Sequence, residues 1–165
     1  MDRRTKYCGE VGVEDIGQRI VLHGWVQRIR DHGGLIFVDL RDRAGVVQTV
    51  VDPQKSPDVF KVAESVRSEY VLEIAGTVER RPEGTENPNL PTGEVEVHID
   101  RIEILNTANT PPFPIEDGIT TDEMVRLKYR YLDLRRPEMQ KRLILRSKVI
   151  KLMRDFMDEH GFIDV

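Results

Sequence analysis

Between Arg19 and Asp52 the chain carries three alternating, β-branched runs separated by turn residues, and no other stretch restricts the fold as strongly. RIVLHGWVQRIR (19–30) is followed by His32-Gly33-Gly34, LIFVDLRD (35–42) by Arg43-Ala44-Gly45, and VVQTVVD (46–52) by Pro53. Alternation of period two, broken by short glycine-bearing turns, predicts a three-stranded meander. Residues 57–68 (PDVFKVAESVRS) place Val59, Phe60, Val62, Ala63 and Val66 at helical spacing behind Pro57, which predicts a helix. YVLEIAGTVERR (70–81) predicts a fourth strand. EVEVHIDRIEIL (94–105) predicts a fifth, after the Pro/Gly/Asn-rich excursion PEGTENPNLPTG.

Three strands, a helix and two strands predict a mainly β fold: a small closed five-stranded barrel of the OB type, with the helix inserted between strands three and four. Residues 1–106 then form one domain. NTANTPPFPIEDGITT, ending at Thr121, has no periodicity and predicts a linker over 107–121. Thr121-Asp122 predicts the cap of a hinge helix over 122–136, and Arg136-Pro137 the start of a longer helix. In the longer helix Leu143, Val149, Ile150, Met153, Phe156 and Met157 share a face, and Gly161 is the expected stop. An apolar strand starting at Phe162–Val165 without a partner is the expectation for a truncated domain over 137–165.

Alternation along the first strand puts Leu22, Gly24, Val26, Arg28 and Arg30 on one face and His23, Trp25, Gln27 and Ile29 on the other. On the second strand Ile36, Val38 and Leu40 make an aliphatic row for the interior, so Phe37 points outward with Leu35 and Asp39. An outward ring beside arginines suits base stacking, worth roughly 1–3 kcal/mol per base, and Gln48 on the third strand offers an amide on the same surface. Pattern alone leaves a second reading open, in which Phe37 is a core or protein contact and the arginines a solvated face.

Composition narrows the function classes. With 39% hydrophobic and 33% charged residues, the chain reads as a globular domain rather than a disordered one. It has no apolar run of membrane-spanning length, and MDRRTKYCGE lacks the apolar stretch of a secretory signal, so a cytoplasmic location without membrane contact is expected. One cysteine, Cys8, excludes an internal disulfide, and His23, His32, His98 and His160 show no zinc spacing, so no metal is expected. A net charge of −4 means that a case for nucleic acid must be local. Residues 122–155 supply such a case, with eleven Lys/Arg against five Asp/Glu; an anionic partner and a charged helix surface answered by acids elsewhere explain it equally. No phosphate-binding loop, dinucleotide fingerprint or nucleophile elbow is present, so no catalytic residue and no cofactor are assigned within the chain.

Three stretches in fixed order, GWVQRIRDHGGLIFVDLRDRAGVVQTVVD, RPEGTENPNLPTGEVEV and TPPFPIEDGITTDEMVRLKYRYLDLRRPEMQKRLILR, resemble the anticodon-binding region of bacterial aspartyl-tRNA synthetases, with RYLDLRRP as the hinge signature. Lysyl and asparaginyl relatives share the barrel and part of the hinge. The resemblance implies a class II ligase that activates aspartate with ATP and Mg2+ and transfers it to tRNA(Asp), as a homodimer, with the catalytic groups outside this chain. By itself the chain is then expected to be inactive. Position by position it implies anticodon contacts for Arg28, Arg30, Phe37, Gln48, Arg67, Arg81, Asn87 and Glu96, with Phe37 stacking and Glu96 accepting from a guanine edge. Two departures remove positive charge: Ile29 interrupts a common triple arginine, and Glu79 stands where a basic residue is frequent. His32 and Gly84 match positions implicated in tRNA discrimination, in a combination resembling relaxed members that also charge tRNA(Asn). The two are equally at home as ordinary turn residues. The competing function is a free-standing single-strand-binding OB module, distinguished by indifference to anticodon sequence. A purely protein-binding module is distinguished by RNA affinity that does not depend on Phe37.

Overall fold

The computed structural model describes residues 2–163 and 165, which group into two compact units, Met1–Thr110 and Pro111–Val165. In the first unit β1 (Arg19–His32), β2 (Leu35–Arg41) and β3 (Val46–Val51) form the meander; α1 (Pro57–Ser65) follows, then β4 (Val71–Arg80) and β5 (Val95–Asn106). β1 pairs antiparallel with both β2 and β4, β2 with β3, and β4 with β5; a short parallel pairing of Thr49 and Val50 with Val97 and His98 closes the sheet into a barrel. Strand order and helix insertion agree with the expectation. α1 is shorter than the spacing suggested: Val66 leaves it in extended conformation and is fully buried in the core.

The interior is filled by inward aliphatics from every strand, among them Leu22, Val26, Val38, Leu40, Val51, Ile74, Val78 and Val97, with Ala63 and Val66 from the helix side. Ile36, Val38 and Leu40 form the expected interior row, and Phe37 stands outside that cluster. The face assignment of β1 needs correction. Val26 pairs with Leu40 but Arg28 pairs with Asp39, so Gln27 is an extra residue that bulges the strand. A bulge reverses the alternation beyond it. Val26 therefore points into the core, Ile29 packs against it, and Arg28 and Arg30 are exposed.

The second unit holds α2 (Glu123–Lys128), α3 (Arg130–Asp133) and α4 (Pro137–Glu159). Asp122 caps α2 as expected, its carboxylate accepting from the Met124 amide at 2.8 Å. The single hinge helix expected over 122–136 is instead broken at Tyr129 (φ −109°, ψ 44°). The break brings three arginines to Asp133, which is fully buried: Arg136 Nε donates at 2.8 Å, Arg130 pairs with the other oxygen, and Arg126 lies 3.8 Å away. Phe113 and Ile115 of the Pro-rich segment are also buried. α4 ends in a Schellman motif, with Gly161 (φ 81°) donating to Asp158 and Phe162 to Met157. Its apolar residues Leu143, Val149, Ile150, Met153, Phe156 and Met157 are all exposed. Phe162, Ile163 and Val165 form no strand, contrary to expectation, and Asp164 lies outside the described residues.

Burial alone would raise the Asp133 carboxyl, but the hydrogen bond from Arg136 and the charges of Arg136, Arg130 and Arg126 outweigh it and hold the pKa below the ordinary aspartate value. A lowered folded pKa stabilises the fold above the unfolded value, about 3.9, and the contribution is lost as pH falls through the folded one. Asp133→Asn is expected to destabilise the helical unit by about 2 kcal/mol at neutral pH, and to flatten its acid-induced loss of helix below about pH 4. Circular dichroism melts across that range measure both.

Candidate nucleic-acid interface

Gly33 and Gly34 both adopt positive φ (61° and 78°), the geometry of a two-residue hairpin turn whose twist matches its strands. The hairpin sets Arg30 opposite Phe37 and Arg28 opposite Asp39, and β3 adds Gln48 opposite Asp39. Arg30 lies with its guanidinium 6.0 Å from the Phe37 ring centroid. Arg81, just past β4, and the loop it opens complete a cleft of about 610 Å3, inside the roughly 300–1,000 Å3 range of ligand sites.

Arg28, Arg30, His32, Phe37, Gln48, Arg81 and Asn87 all line this one cleft. Arg67 does not: its Nη1 donates to the carbonyls of Glu64 and Val66, both at 2.7 Å, at the end of α1. Glu96 is 5% exposed and lies outside the lining, its carboxylate accepting from Gln48 Nε2 (2.8 Å) and contacting His98 Nε2 (3.1 Å). Gly84 sits on the exposed loop (φ 81°), its amide donating to Glu86, and its neighbour Thr85 reaches the cleft.

Four lining residues went unassigned from the sequence: Asp31, Asp39, Thr85 and Leu90. Leu90 is the informative one, because an apolar side chain among Asn and Pro residues on a surface loop needs a reason to be there. The loop is rigid by its own bonds: Asn87 N to Gly93 O (3.0 Å), Leu90 N to Asn87 O (3.1 Å) and Gly93 N to Leu90 O (2.9 Å). A Cβ at Gly93 would fall 1.9 Å from the Asn87 carbonyl, so only glycine lets this chain reversal close.

Electrostatically the cleft is basic, with Asp31 and Asp39 in its lining and Glu96 behind Gln48. Arg30 Nη2 donates to Asp39 at 2.6 Å and to Gln48 Oε1 at 3.1 Å. Burial raises the Asp39 carboxyl despite Arg30, Arg28 and Arg81 nearby. Burial also opposes ionisation of Glu96, but hydrogen bonds from His98 and Gln48, with the charges of His98 and Arg81, keep it below its usual value. Arg81, 5% exposed, donates through Nε to the Val95 carbonyl at 3.0 Å, while its buried Nη2 has no hydrogen-bond partner. A half-buried ring, several guanidinium groups and an oriented amide form a surface that can stack a planar base, hold phosphates and read a base edge.

Residues 20–105 match the family model described as OB-fold nucleic acid binding domain, and residues 122–165 match that of the class II tRNA synthetases (D, K and N). The aspartate–tRNA(Asp/Asn) ligase of Heliobacterium modesticaldum (strain ATCC 51547 / Ice1) is 56% identical over 163 residues, covering 99% of this chain and 27% of the relative. That of Geobacillus sp. (strain WCH70) is 58% identical over 162 residues, 98% of this chain and again 27% of the relative. The chain thus spans little more than a quarter of these curated relatives. Among solved structures, asparaginyl-tRNA synthetase from Pyrococcus horikoshii matches with a TM-score of 0.83 at 26% identity, over 100% of this chain and 37% of that one. Closed barrel, inserted helix and the match over 20–105 agree: the chain belongs to the family of OB-fold nucleic acid binding domains.

Proposed function

We propose that this chain reads a tRNA anticodon as the N-terminal part of an aspartate–tRNA ligase. The observation that carries the proposal is the convergence of Phe37, Arg28, Arg30, Gln48, Arg81 and Asn87 on one cleft from two strand pairs and a loop. Phe37 is the stacking platform for an unpaired base. Gln48 offers its amide to the base edge, and Arg28 and Arg30 hold the phosphates that flank it. Arg81, its Nε spent on the Val95 carbonyl and its Nη2 buried, adds positive charge to the wall of the cleft. Arg67, outside that lining, contributes by ordering the end of α1. The names of the relatives support the ligase and the pair of tRNA partners, tRNA(Asp) and tRNA(Asn). The combination of His32, in the lining, and Gly84, beside Thr85, resembles that of the relaxed type that accepts both.

In the whole protein the barrel spans 1–106, the connecting segment 107–121, the hinge 122–136, and the class II catalytic domain opens at 137. ATP, Mg2+ and aspartate act in that catalytic domain, in a cytoplasmic homodimer; no step of that chemistry is assigned to residues of this chain. A single-strand-binding module without sequence preference gains nothing from Gln48, which is held rigidly between two charged partners.

Phe37→Ala should weaken binding of an anticodon stem-loop by roughly 1–3 kcal/mol, about five- to 150-fold, in fluorescence anisotropy. The melting temperature should stay put, because the ring lies outside the barrel core. Unchanged affinity would transfer the cleft to a protein partner. Stem-loops bearing the aspartate and asparagine anticodons, which differ at the last base, should bind with similar affinity. A preference of tenfold or more, about 1.4 kcal/mol, contradicts relaxed recognition. In ATP–pyrophosphate exchange with aspartate, residues 1–165 should give no turnover; measurable exchange overturns the placement of the chemistry elsewhere.

A further inference from the structure

Glu79 on β4 and Glu96 on β5 are direct register partners. Like charges facing each other across antiparallel strands destabilise the pair, so something must hold these two together. His98, two residues along β5 and on the same face, does so: its Nε2 lies 3.1 Å from Glu96 Oε1 and 3.4 Å from Glu79 Oε2. A carboxylate only accepts, so Nε2 carries the proton in these contacts. The other Glu96 oxygen accepts from Gln48 Nε2 at 2.8 Å, and Gln48 Oε1 accepts from Arg30 Nη2 at 3.1 Å.

This chain of contacts fixes the Gln48 amide. Turned over, the amide would set its oxygen against Glu96 and its NH2 against Arg30, two repulsive contacts in place of two charge-assisted hydrogen bonds. One N–H and one lone pair of the amide remain for a ligand. The orientation depends on Glu96 staying where it is, and among the described residues His98 is the hydrogen-bond partner of its far oxygen.

We propose that His98, braced by Glu79, is a positioning residue for base reading: it holds Glu96 so that Glu96 fixes the Gln48 amide. The proposal rests on the cleft being the anticodon-reading site. It gives Glu96 a place behind the reading amide rather than on the base, and it gives Glu79 a use as the outer brace of the histidine. Neither His98 nor Glu79 lines the cleft, so their effect on RNA is exerted through Gln48.

The test is the ratio of affinities of the 165-residue chain for a cognate stem-loop and for one altered at a single anticodon base. His98→Ala leaves two facing carboxylates without their bridge and should lower that ratio about tenfold, the loss of one hydrogen bond to a charged group. The binding due to phosphate contacts should be largely kept. His98→Gln, which still donates to Glu96, should restore most of the ratio. Adding Glu79→Gln to His98→Ala should recover part of it by removing the repulsion. An unchanged ratio in His98→Ala overturns the proposal, as does a His98→Gln no better than alanine. Should His98→Ala unfold, the Gln48 side-chain NH2 resonances of His98→Gln decide: exchange protection like that of the parent chain supports positioning, and loss of protection refutes it. Phe37→Ala run in parallel separates the two levels. If it leaves RNA affinity intact, the anticodon reading itself fails; if it weakens binding while the His98 variants discriminate normally, only the positioning role does.

Discussion

The extra residue at Gln27 decides which side chains of this barrel meet solvent. Before it, β1 sends Leu22 and Val26 inward against Leu40; after it, the same strand sends Ile29 inward and lifts Arg28 and Arg30 outward. Without the bulge, strict alternation would carry Val26 and both arginines to one face, and either the core would receive charge or the cleft would lose it. Burying two guanidinium groups without partners costs far more than an aliphatic side chain gains. The hairpin beyond the bulge also inherits its register from it. Arg30 opposite Phe37 and Arg28 opposite Asp39 are both consequences of that one-residue shift.

Two of the three arginines lining the cleft are tied down by hydrogen bonds. Arg30 is held between Asp39 and Gln48, Arg81 is anchored on the Val95 carbonyl, and Gln48 is held between Arg30 and Glu96. Buried acids among arginines look like a handicap for a surface that takes an anion. Their effect is on geometry: each fixes the direction of a donor and leaves other donors of that group unspent. Long side chains ordered before binding lose less entropy when a ligand arrives. Preorganisation of this kind suits the base reading proposed for this cleft better than raw attraction to phosphate, which a looser set of lysines would supply as well.

Periodicity made the barrel legible. All five strands and the inserted helix stand close to where β-branched alternation and Pro57 put them, and Phe37 was legible as outward because Ile36, Val38 and Leu40 so clearly belong inside. The bulge was missed although the letters carry a trace of it: Val26 and Ile29 stand three apart, with Gln27 and Arg28 both polar where strict alternation allows one. The burial of Glu96 was hidden for another reason: a glutamate on a strand edge reads as solvated until a histidine two positions away and a glutamine on a neighbouring strand are seen to enclose it. Leu90 and Thr85 were hidden because a loop without periodicity gives no face to assign; the demand for glycine at position 93 emerges only from the closed loop itself.

A charge count is read only together with geometry. Eleven Lys/Arg against five acids over residues 122–155 left an anionic partner and a charged helix surface equally open. Arg126, Arg130 and Arg136 instead converge on the buried Asp133, and Arg136 also reaches Asp117, whose carboxylate accepts from the Glu138 amide at the start of α4. Arg142 and Lys151 are answered one helical turn away by Glu138 and Asp155. Two of the three arginines in RYLDLRRP, Arg130 and Arg136, thus serve one aspartate at a break in the helix. Its physical task is to join two short helices and the start of a long one into a single turn.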